Sequence, residues 1–308
     1  MATVTAPARA VVRVPATTAN LGPGFDAFGA AVSLHLEARL VARGARRARV
    51  ASHGEGAGEL PDDDSNLLWR SLLALCAHAG VTPPRDLAVE VSNHIPLARG
   101  LGSSSAAIVA GLGLARAACE LEVSDLELVR IASDIEGHPD NVAPAVLGGL
   151  VVAARTDAGG LVVRRAQPHT RLRPVALIPQ DRQLTVAART LLPEALERHD
   201  VVDHTSRAGH VLGALLGAWP VAPELAGDRL HEPARLAAME ASGAVVAELR
   251  AGGIHAWLSG AGPSVCAAIG LRDADTLHRC EAIGTGHGFS VRPVRWDLSG
   301  LTATPASA

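Results

Sequence analysis

The sequence predicts an α+β fold built in two parts, and three observations carry that expectation. The chain has 308 residues, enough for two domains at about 150 residues each. Strand-like and helix-like segments mix without a strict strand–helix–strand rhythm, which points away from a parallel α/β sheet. A glycine-serine run, GLGSSSAA at 100–107, leads straight into a helical pattern, so an anion-binding helix start is expected in the first half. The division is expected between 1–165 and 166–308.

In order along the chain, residues 1–10 are small and polar and are expected to be frayed. Residues 11–14 read as a short strand stopped by Pro15, and 15–29 (PATTANLGPGFDAFG) as an ordered loop punctuated by Gly22, Pro23, Gly24 and Gly29. Residues 34–41 and 87–91 alternate apolar and polar, as half-buried strands do. Residues 53–64 form a polar turn region, and 66–79 a helix with Ser65 available as N-cap. After the glycine-serine run, Ile108, Leu112, Ala115 and Cys119 share one helix face. A helix at 125–135, capped by Ser124, ends in the loop EGHPDN at 136–141. A buried strand at 147–153 and a hairpin within 157–170 close the first part. The second part reads as a strand at 175–178, a short helix at 184–192, and longer helices at 200–218 and 233–251. Strands at 255–258 and 265–269 then flank the turn SGAGPS at 259–264. The tail after Asp297 is expected to be weakly ordered.

Composition narrows the function. Apolar residues make up 48% and charged residues 19%, enough for a packed core. The 28 basic and 31 acidic residues leave a net charge of -3, so there is no general attraction to nucleic acid or an anionic membrane. Aromatics are 2% with no Tyr, which argues against base-stacking platforms. Every basic residue is Arg. A Walker A loop, a protein-kinase active site and a Schiff base each need a Lys, so all three are excluded. No HExxH, Cys–His cluster or GxSxG occurs, and zinc or serine hydrolysis lacks support. Cys76, Cys119, Cys266 and Cys280 show no CxxC spacing and read as free, buried thiols of a reducing compartment. The N-terminus lacks the pattern of a secretory signal. The longest uncharged stretch, 252–271, carries glycines and Pro263 and would make a poor membrane helix. A cytoplasmic protein is expected, with no nucleic-acid or membrane partner, and a homodimer is left open.

Gly100 and Gly102 permit tight turns and close backbone approach, and Ser103, Ser104 and Ser105 supply hydroxyls. With the unpaired N–H groups and positive dipole end of the following helix, they suit a phosphate. The plainer reading is a loop that only caps a helix. On the N-terminal loop, Asn20 and Asp26 can hold a hydroxyl and an ammonium, or merely cap turns. Phe25 and Phe28 read as core. Glu136, His138, Asp140 and Asn141 fall within six residues. A carboxylate there can ligate a Mg²⁺ that also touches phosphates, or the loop is simply solvated.

PLARGLGSSSAA (96–107) resembles the phosphate loop of the GHMP kinases, which phosphorylate galactose, homoserine, mevalonate and phosphomevalonate. That family holds ATP without a Lys-bearing loop. PATTANLGPGFDAFG and SGAGPS agree in order and spacing, so the resemblance runs over roughly residues 11–296. Together with EGHPDNVAPAVLGG (136–149), the N-terminal motif is similar to the branch that phosphorylates homoserine. The resemblance implies a ribosomal-protein-S5-like N-terminal lobe and a ferredoxin-like C-terminal lobe, with the site between them.

It further implies ATP, Mg²⁺ and L-homoserine, and a role in threonine biosynthesis. ATP would lie against Pro96, Leu97, Ala98, Arg99, Gly100, Leu101, Gly102, Ser103, Ser104, Ser105 and Ala106. Asn66 would contact adenine, unless it only caps its helix. Glu136 would ligate Mg²⁺ with Ser104 or Ser105. The loop between this Glu and the Asp-Asn pair is shorter than in longer family members, so Asp134 stands as a rival. Asn141, Asp26 and Glu136 would be the catalytic set. Asn20, Asp26, His138, Asn141, Thr185, Arg189, Arg235 and Gly260 would line the substrate side, the two arginines holding a carboxylate. His138 is not expected to act as a general base, because phosphoryl transfer depends on positioning and charge neutralisation. The alternatives are a GHMP kinase for another small alcohol, such as mevalonate or a sugar, and a nucleotide-binding sensor without catalysis.

Overall fold

The computed structural model describes residues 2–3, 10–43, 48–83, 86–180 and 191–305. After a two-residue strand β1 (Ala2–Thr3), β2 (Ala10–Ala19) and β3 (Phe28–Ala42) form the antiparallel spine of the first sheet. The expected strand at 11–14 does not stop at Pro15. Its register shifts between Pro15 and Ala16, an irregularity that accommodates a residue with no N–H to give the ladder. The strand then runs to Ala19, taking in a third of the expected loop.

Around this spine lie β4 (Val50–Gly54), β6 (Leu87–Asn93), β7 (Leu150–Arg155) and β8 (Leu161–Ala166). A short β5 (Val81–Thr82) pairs with β1 instead. The fifteen-residue β3 serves two partners on one edge: its second half pairs with β6 and its first residues with β7. The sheet order is β13-β2-β3-β6-β4, with β7 and β8 beside the start of β3 and β13 at Thr302–Pro305. Between Asp297 and Pro305 the tail is therefore ordered, against expectation. Asp297 accepts from the N–H groups of Ser299 and Gly300, both at 2.9 Å, and pairs with His35 at 2.8 Å. That turn aims the last strand back onto β2, which sequence pattern alone cannot show.

Four helices follow: α1 (Leu67–His78), α2 (Ser103–Ala118), α3 (Asp125–Glu136) and α4 (Pro139–Leu147). α2 and α4 pack on β2 and β3, with α1 and α3 against them. Ser124 caps α3 as expected, whereas Asn66, not Ser65, caps α1. The expected loop at 136–141 is in part the first turn of α4. Pro139 sits at the start, where its missing N–H costs nothing. Pro144 gives no N–H to the Asp140 carbonyl one turn back, and that carbonyl lies against Gly29, where a Cβ would be 1.7 Å from it.

The second sheet contains β9 (Leu172–Ile178), β10 (His255–Leu258), β11 (Val265–Gly270) and β12 (Ser290–Pro293). Its order is β10-β11-β9-β12, antiparallel throughout. Before β10 come α5 (Arg198–Leu216), a 3₁₀ turn (Pro223–Leu225), α6 (Glu232–Ala238) and α7 (Glu240–Ala251). α8 (Ala274–Gly286) precedes β12. Helices between the first and second and between the third and fourth strands give the ferredoxin-like order. Val175, Leu177, Val245, Leu249 and Phe289 form its core. The single helix expected at 233–251 is broken at Met239, which packs against Leu258. The expected helix at 184–192 falls largely outside the described residues.

All four cysteines are free; three are buried and Cys119 is half-buried. Burial pushes the Cys266 and Cys280 thiols up to about 11. Among the described residues no helix is long and apolar enough to cross a membrane.

α1 and α2 meet backbone to backbone at Gly111, where a Cβ would lie 2.2 Å from the Leu68 carbonyl oxygen. Gly→Ala inside a helix ordinarily stabilises by about 0.8–1 kcal/mol. Here it must push α1 outward, and overpacking of that kind costs about 1–3 kcal/mol. Gly111→Ala is expected to lower stability by about 1–2 kcal/mol net, read from the urea midpoint; a midpoint that rises would remove the close contact.

Candidate active site

The loop from β6 to α2 is held from both sides. Gly100 and Gly102 take left-handed backbone, φ +72° and +68°, which favours glycine. A Cβ on Gly102 would be 2.0 Å from Thr17 Oγ1, and one on Gly100 would be 2.1 Å from the Ser259 carbonyl. On the first-lobe side the Thr17 N–H donates to Leu101 O at 3.1 Å. On the other, the Ser259 hydroxyl donates to Gly100 O at 2.7 Å and the Ser264 N–H to Arg99 O at 3.3 Å. The SGAGPS turn between β10 and β11 thus rests on the glycine-serine loop.

A cleft of about 530 Å³ opens beside this loop. Leu36, Val50, Leu60, Pro61, Leu68 and Val91 make one end apolar, a surface suited to a flat base. Asn66 sits there, its Oδ1 accepting from Leu68 N–H at 3.0 Å and its Nδ2 donating to Pro61 O at 2.6 Å. It is a helix cap and a cleft residue at once. Leu97, Ala98, Arg99, Gly100, Gly102, Ser103, Ser104 and Ser105 line the cleft, whereas Pro96, Leu101 and Ala106 are buried behind it. The Arg99 guanidinium donates to Pro179 O at 2.8 Å and Gln180 O at 2.6 Å, tying the loop to the end of β9.

Glu136, at the end of α3, faces the start of α2. Its Oε1 accepts from Ser104 Oγ at 2.6 Å and Ser105 Oγ at 2.9 Å. Asp134 is exposed, lies off the cleft, and pairs with Arg130 at 3.5 Å and Arg155 at 4.0 Å. Helical spacing explains the difference, since residues two apart point to different sides.

The polar end gathers Asn20, Asp26, His138, Asp140, Asn141, Arg235 and Gly260. Asn20 and Asp26 also take left-handed backbone, at φ +69° and +53°. Asn20 Oδ1 accepts from the Asp26 N–H at 3.1 Å, and its Nδ2 donates to Gly260 O at 2.9 Å. Arg235 Nη1 donates to the same carbonyl at 3.2 Å. Thr17 Oγ1 donates to Asn141 Oδ1 at 2.8 Å, which leaves the Asn141 amide N–H₂ as the donor end. His138 Nδ1 pairs with Asp140 Oδ1. Burial lowers the His138 pKa, but the Asp140 bond and charge, with Glu136 and Asp26, outweigh it and leave it above its ordinary value. Thr185 and Arg189 lie outside the described residues.

Three residues take roles that the sequence does not assign them. Thr17 stands in the quoted PATTAN motif, one residue from Ala16 at the register shift, but nothing in the motif shows that it faces Asn141. Asp140, one of the two carboxylates of the 136–141 loop, is the partner of His138 Nδ1. Phe25, expected in the core, is half-buried and lies 5.3 Å beneath the Arg235 guanidinium, while Phe28 is core as expected.

Comparison with known proteins agrees with this geometry. A family model for the GHMP kinase N-terminal domain matches residues 66–149. A homoserine kinase of Streptomyces coelicolor is 41% identical over 298 residues, covering 96% of this chain and 94% of its own. The chain belongs to the GHMP kinases, in the homoserine kinase family. The homoserine kinase of Mycolicibacterium smegmatis is 42% identical, with 92% and 93% covered. The crystal structure of homoserine kinase from Cytophaga hutchinsonii shares the fold at TM-score 0.82 and 24% identity, covering 99% of this chain and all of its own. In this GHMP kinase, Glu136 and the two serine hydroxyls form an all-oxygen donor set, which fits a hard cation such as Mg²⁺.

Glu136→Ala is expected to cut kcat roughly 10²-fold with an unchanged circular dichroism spectrum, because it removes the carboxylate from the phosphate end. Asp134→Ala is expected to stay within about threefold of wild type, as exposed ion pairs contribute little. Steady-state kinetics of the two variants side by side checks this; the reverse order would move the carboxylate role to Asp134.

Proposed function

We propose that this protein transfers the γ-phosphoryl group of ATP to the hydroxyl of L-homoserine, giving ADP and O-phospho-L-homoserine in threonine biosynthesis. The observation that carries the reading is one continuous cleft. It runs from an apolar base site, past a helix start and serine loop, to a pocket with a carboxylate and a buried arginine. Relatives named homoserine kinase over nearly the whole chain favour that substrate. In this proposal the lobes divide at 1–165 and 166–308, with β13 returned to the first. The protein works in the cytoplasm, in keeping with its free thiols.

The adenine stacks at the apolar end beside Asn66, and the phosphates meet the N–H groups at the start of α2. There the helix dipole and the serines stabilise negative charge. Glu136 with Ser104 and Ser105 would hold Mg²⁺, which would supply charge neutralisation to the nucleotide phosphates. Asp26 takes the substrate ammonium, and Arg235 takes the carboxylate, a pairing the planar guanidinium suits. Asn20 and Asn141 align the hydroxyl, with Thr17 fixing the amide of Asn141. His138, held by Asp140, borders the same pocket. Alignment and charge neutralisation then carry most of the rate, as phosphoryl transfer requires little further chemistry.

ADP release by purified protein with ATP and Mg²⁺ tests the reading, with L-homoserine set beside mevalonate, galactose and L-serine. Turnover that depends on homoserine and is strongest with it is expected; preference for another alcohol would void the substrate assignment while keeping the nucleotide site. Arg235→Leu is expected to raise the homoserine KM about 10²-fold while the ATP KM stays within about twofold, since a charge-assisted bidentate pair is lost. An unchanged homoserine KM would remove Arg235 from the pocket.

A further inference from the structure

We infer that His231 is the positioning residue that sets the Arg235 guanidinium, and with it the spacing between the two charged ends of the substrate pocket. The inference rests on the reading of Arg235 as the carboxylate ligand. His231 is fully buried and precedes α6, one turn before Arg235, so the two side chains share a face. Its Nε2 lies 3.0 Å from Gly22 O and 3.3 Å from Asp228 Oδ2, two atoms that only accept. Its Nδ1 lies 3.3 Å from Arg235 Nη1, a group that only donates. One tautomer satisfies both sides: Nε2 carries the hydrogen and Nδ1 accepts.

The consequence for Arg235 is geometric. Nη1 has two hydrogens, and they meet His231 Nδ1 and Gly260 O at 3.3 and 3.2 Å. Two fixed acceptors on one nitrogen set the plane and rotation of the guanidinium. Phe25 adds a floor: its ring stacks on His231 at 5.2 Å and lies under the Arg235 Cζ at 5.3 Å. The far end of His231 holds Gly22, in the loop that carries Asn20 and Asp26. That loop is close-packed, since a Cβ on Gly22 would be 2.1 Å from Ala226 O. His231 therefore bridges the loop of the ammonium ligand and the helix of the carboxylate ligand. A substrate with an amino and a carboxyl group on one carbon needs that distance held constant.

Two near-isosteres separate the functions of the ring. Gln places an amide nitrogen near the position of Nε2, and Asn places an amide oxygen near that of Nδ1. His231→Gln keeps the donor to Gly22 and loses the acceptor for Arg235; His231→Asn does the reverse. We expect His231→Gln to raise the homoserine KM about tenfold with the ATP KM within about twofold. His231→Asn is expected to raise the homoserine KM by a smaller factor, no more than about threefold, because it frees the Gly22 end while Arg235 keeps its acceptor and its bond to Gly260 O. Equal effects of the two variants, or the opposite order, would overturn the inference. Arg235→Gln is run beside them. If it leaves the homoserine KM unchanged, the carboxylate assignment itself fails; if it raises KM while the His231 pair does not separate, only the positioning role fails. Should His231→Gln not fold, Phe25→Leu decides. A homoserine KM raised at least about threefold at unchanged ATP KM supports the clamp, and an unchanged KM overturns it.

Discussion

The approach of three backbone segments at Gly100 and Gly102 is the constraint on which the rest of the site depends. Neither position has room for a Cβ: Thr17 closes one side and the Ser259 carbonyl the other. Because the loop is wedged between the two lobes, the start of α2 has one position relative to β2 and to the SGAGPS turn. The hydroxyl of Ser259 reinforces this by donating to Gly100 O; Thr18 Oγ1 lies 2.9 Å from Ser259 Oγ and accepts from Trp257 Nε1. These bonds are buried, where a hydrogen bond is worth more and a missing partner costs more.

A second junction follows from the first. The carbonyl of Gly260 accepts from Asn20 in the first lobe and from Arg235 in the second. One oxygen thus registers the loop after β2 against α6. Behind it, Glu232 binds Arg250 through both oxygens, at 3.0 and 2.7 Å, and accepts from the Leu258 N–H at 3.0 Å. Burial opposes ionisation of Glu232, but Arg250 and the Leu258 N–H outweigh it and hold the carboxyl below its ordinary range. A buried pair of this kind is costly to break from one side, and it ties α6 to α7 and to β10.

The glycine-serine loop was readable from residue types alone as an anion site. That Glu136 meets Ser104 and Ser105, and that Asn20, Asp26 and Asn141 line one pocket, was expected only from the resemblance of the motifs to the GHMP kinases. What was misread has a common cause. The strand through Pro15, the start of α4 at Pro139 and the ordered tail at Thr302–Pro305 depend on partners far away in sequence. Proline looks like a stop signal locally, yet Pro15 is tolerated by a register shift and Pro144 by Gly29 opposite its freed carbonyl. The weakly patterned tail becomes a strand because β2 has an open edge to pair with.

The sequence by itself determined the class of chemistry. A chain without Lys has no Lys-bearing phosphate loop, and its glycines, serines and acidic groups mark where an anion and a cation are handled. It also determined the two-part α+β plan, because apolar spacing sets which segments bury a face. Only the tertiary structure decided which carboxylate faces the serines, that Phe25 and His231 stand against Arg235, and that one carbonyl joins the two halves of the pocket. The physical reason is that hydrogen bonds and close contacts act over a few ångströms in space. The partners of Gly260 are Asn20 and Arg235, 240 and 25 residues away, and no local pattern encodes such a meeting.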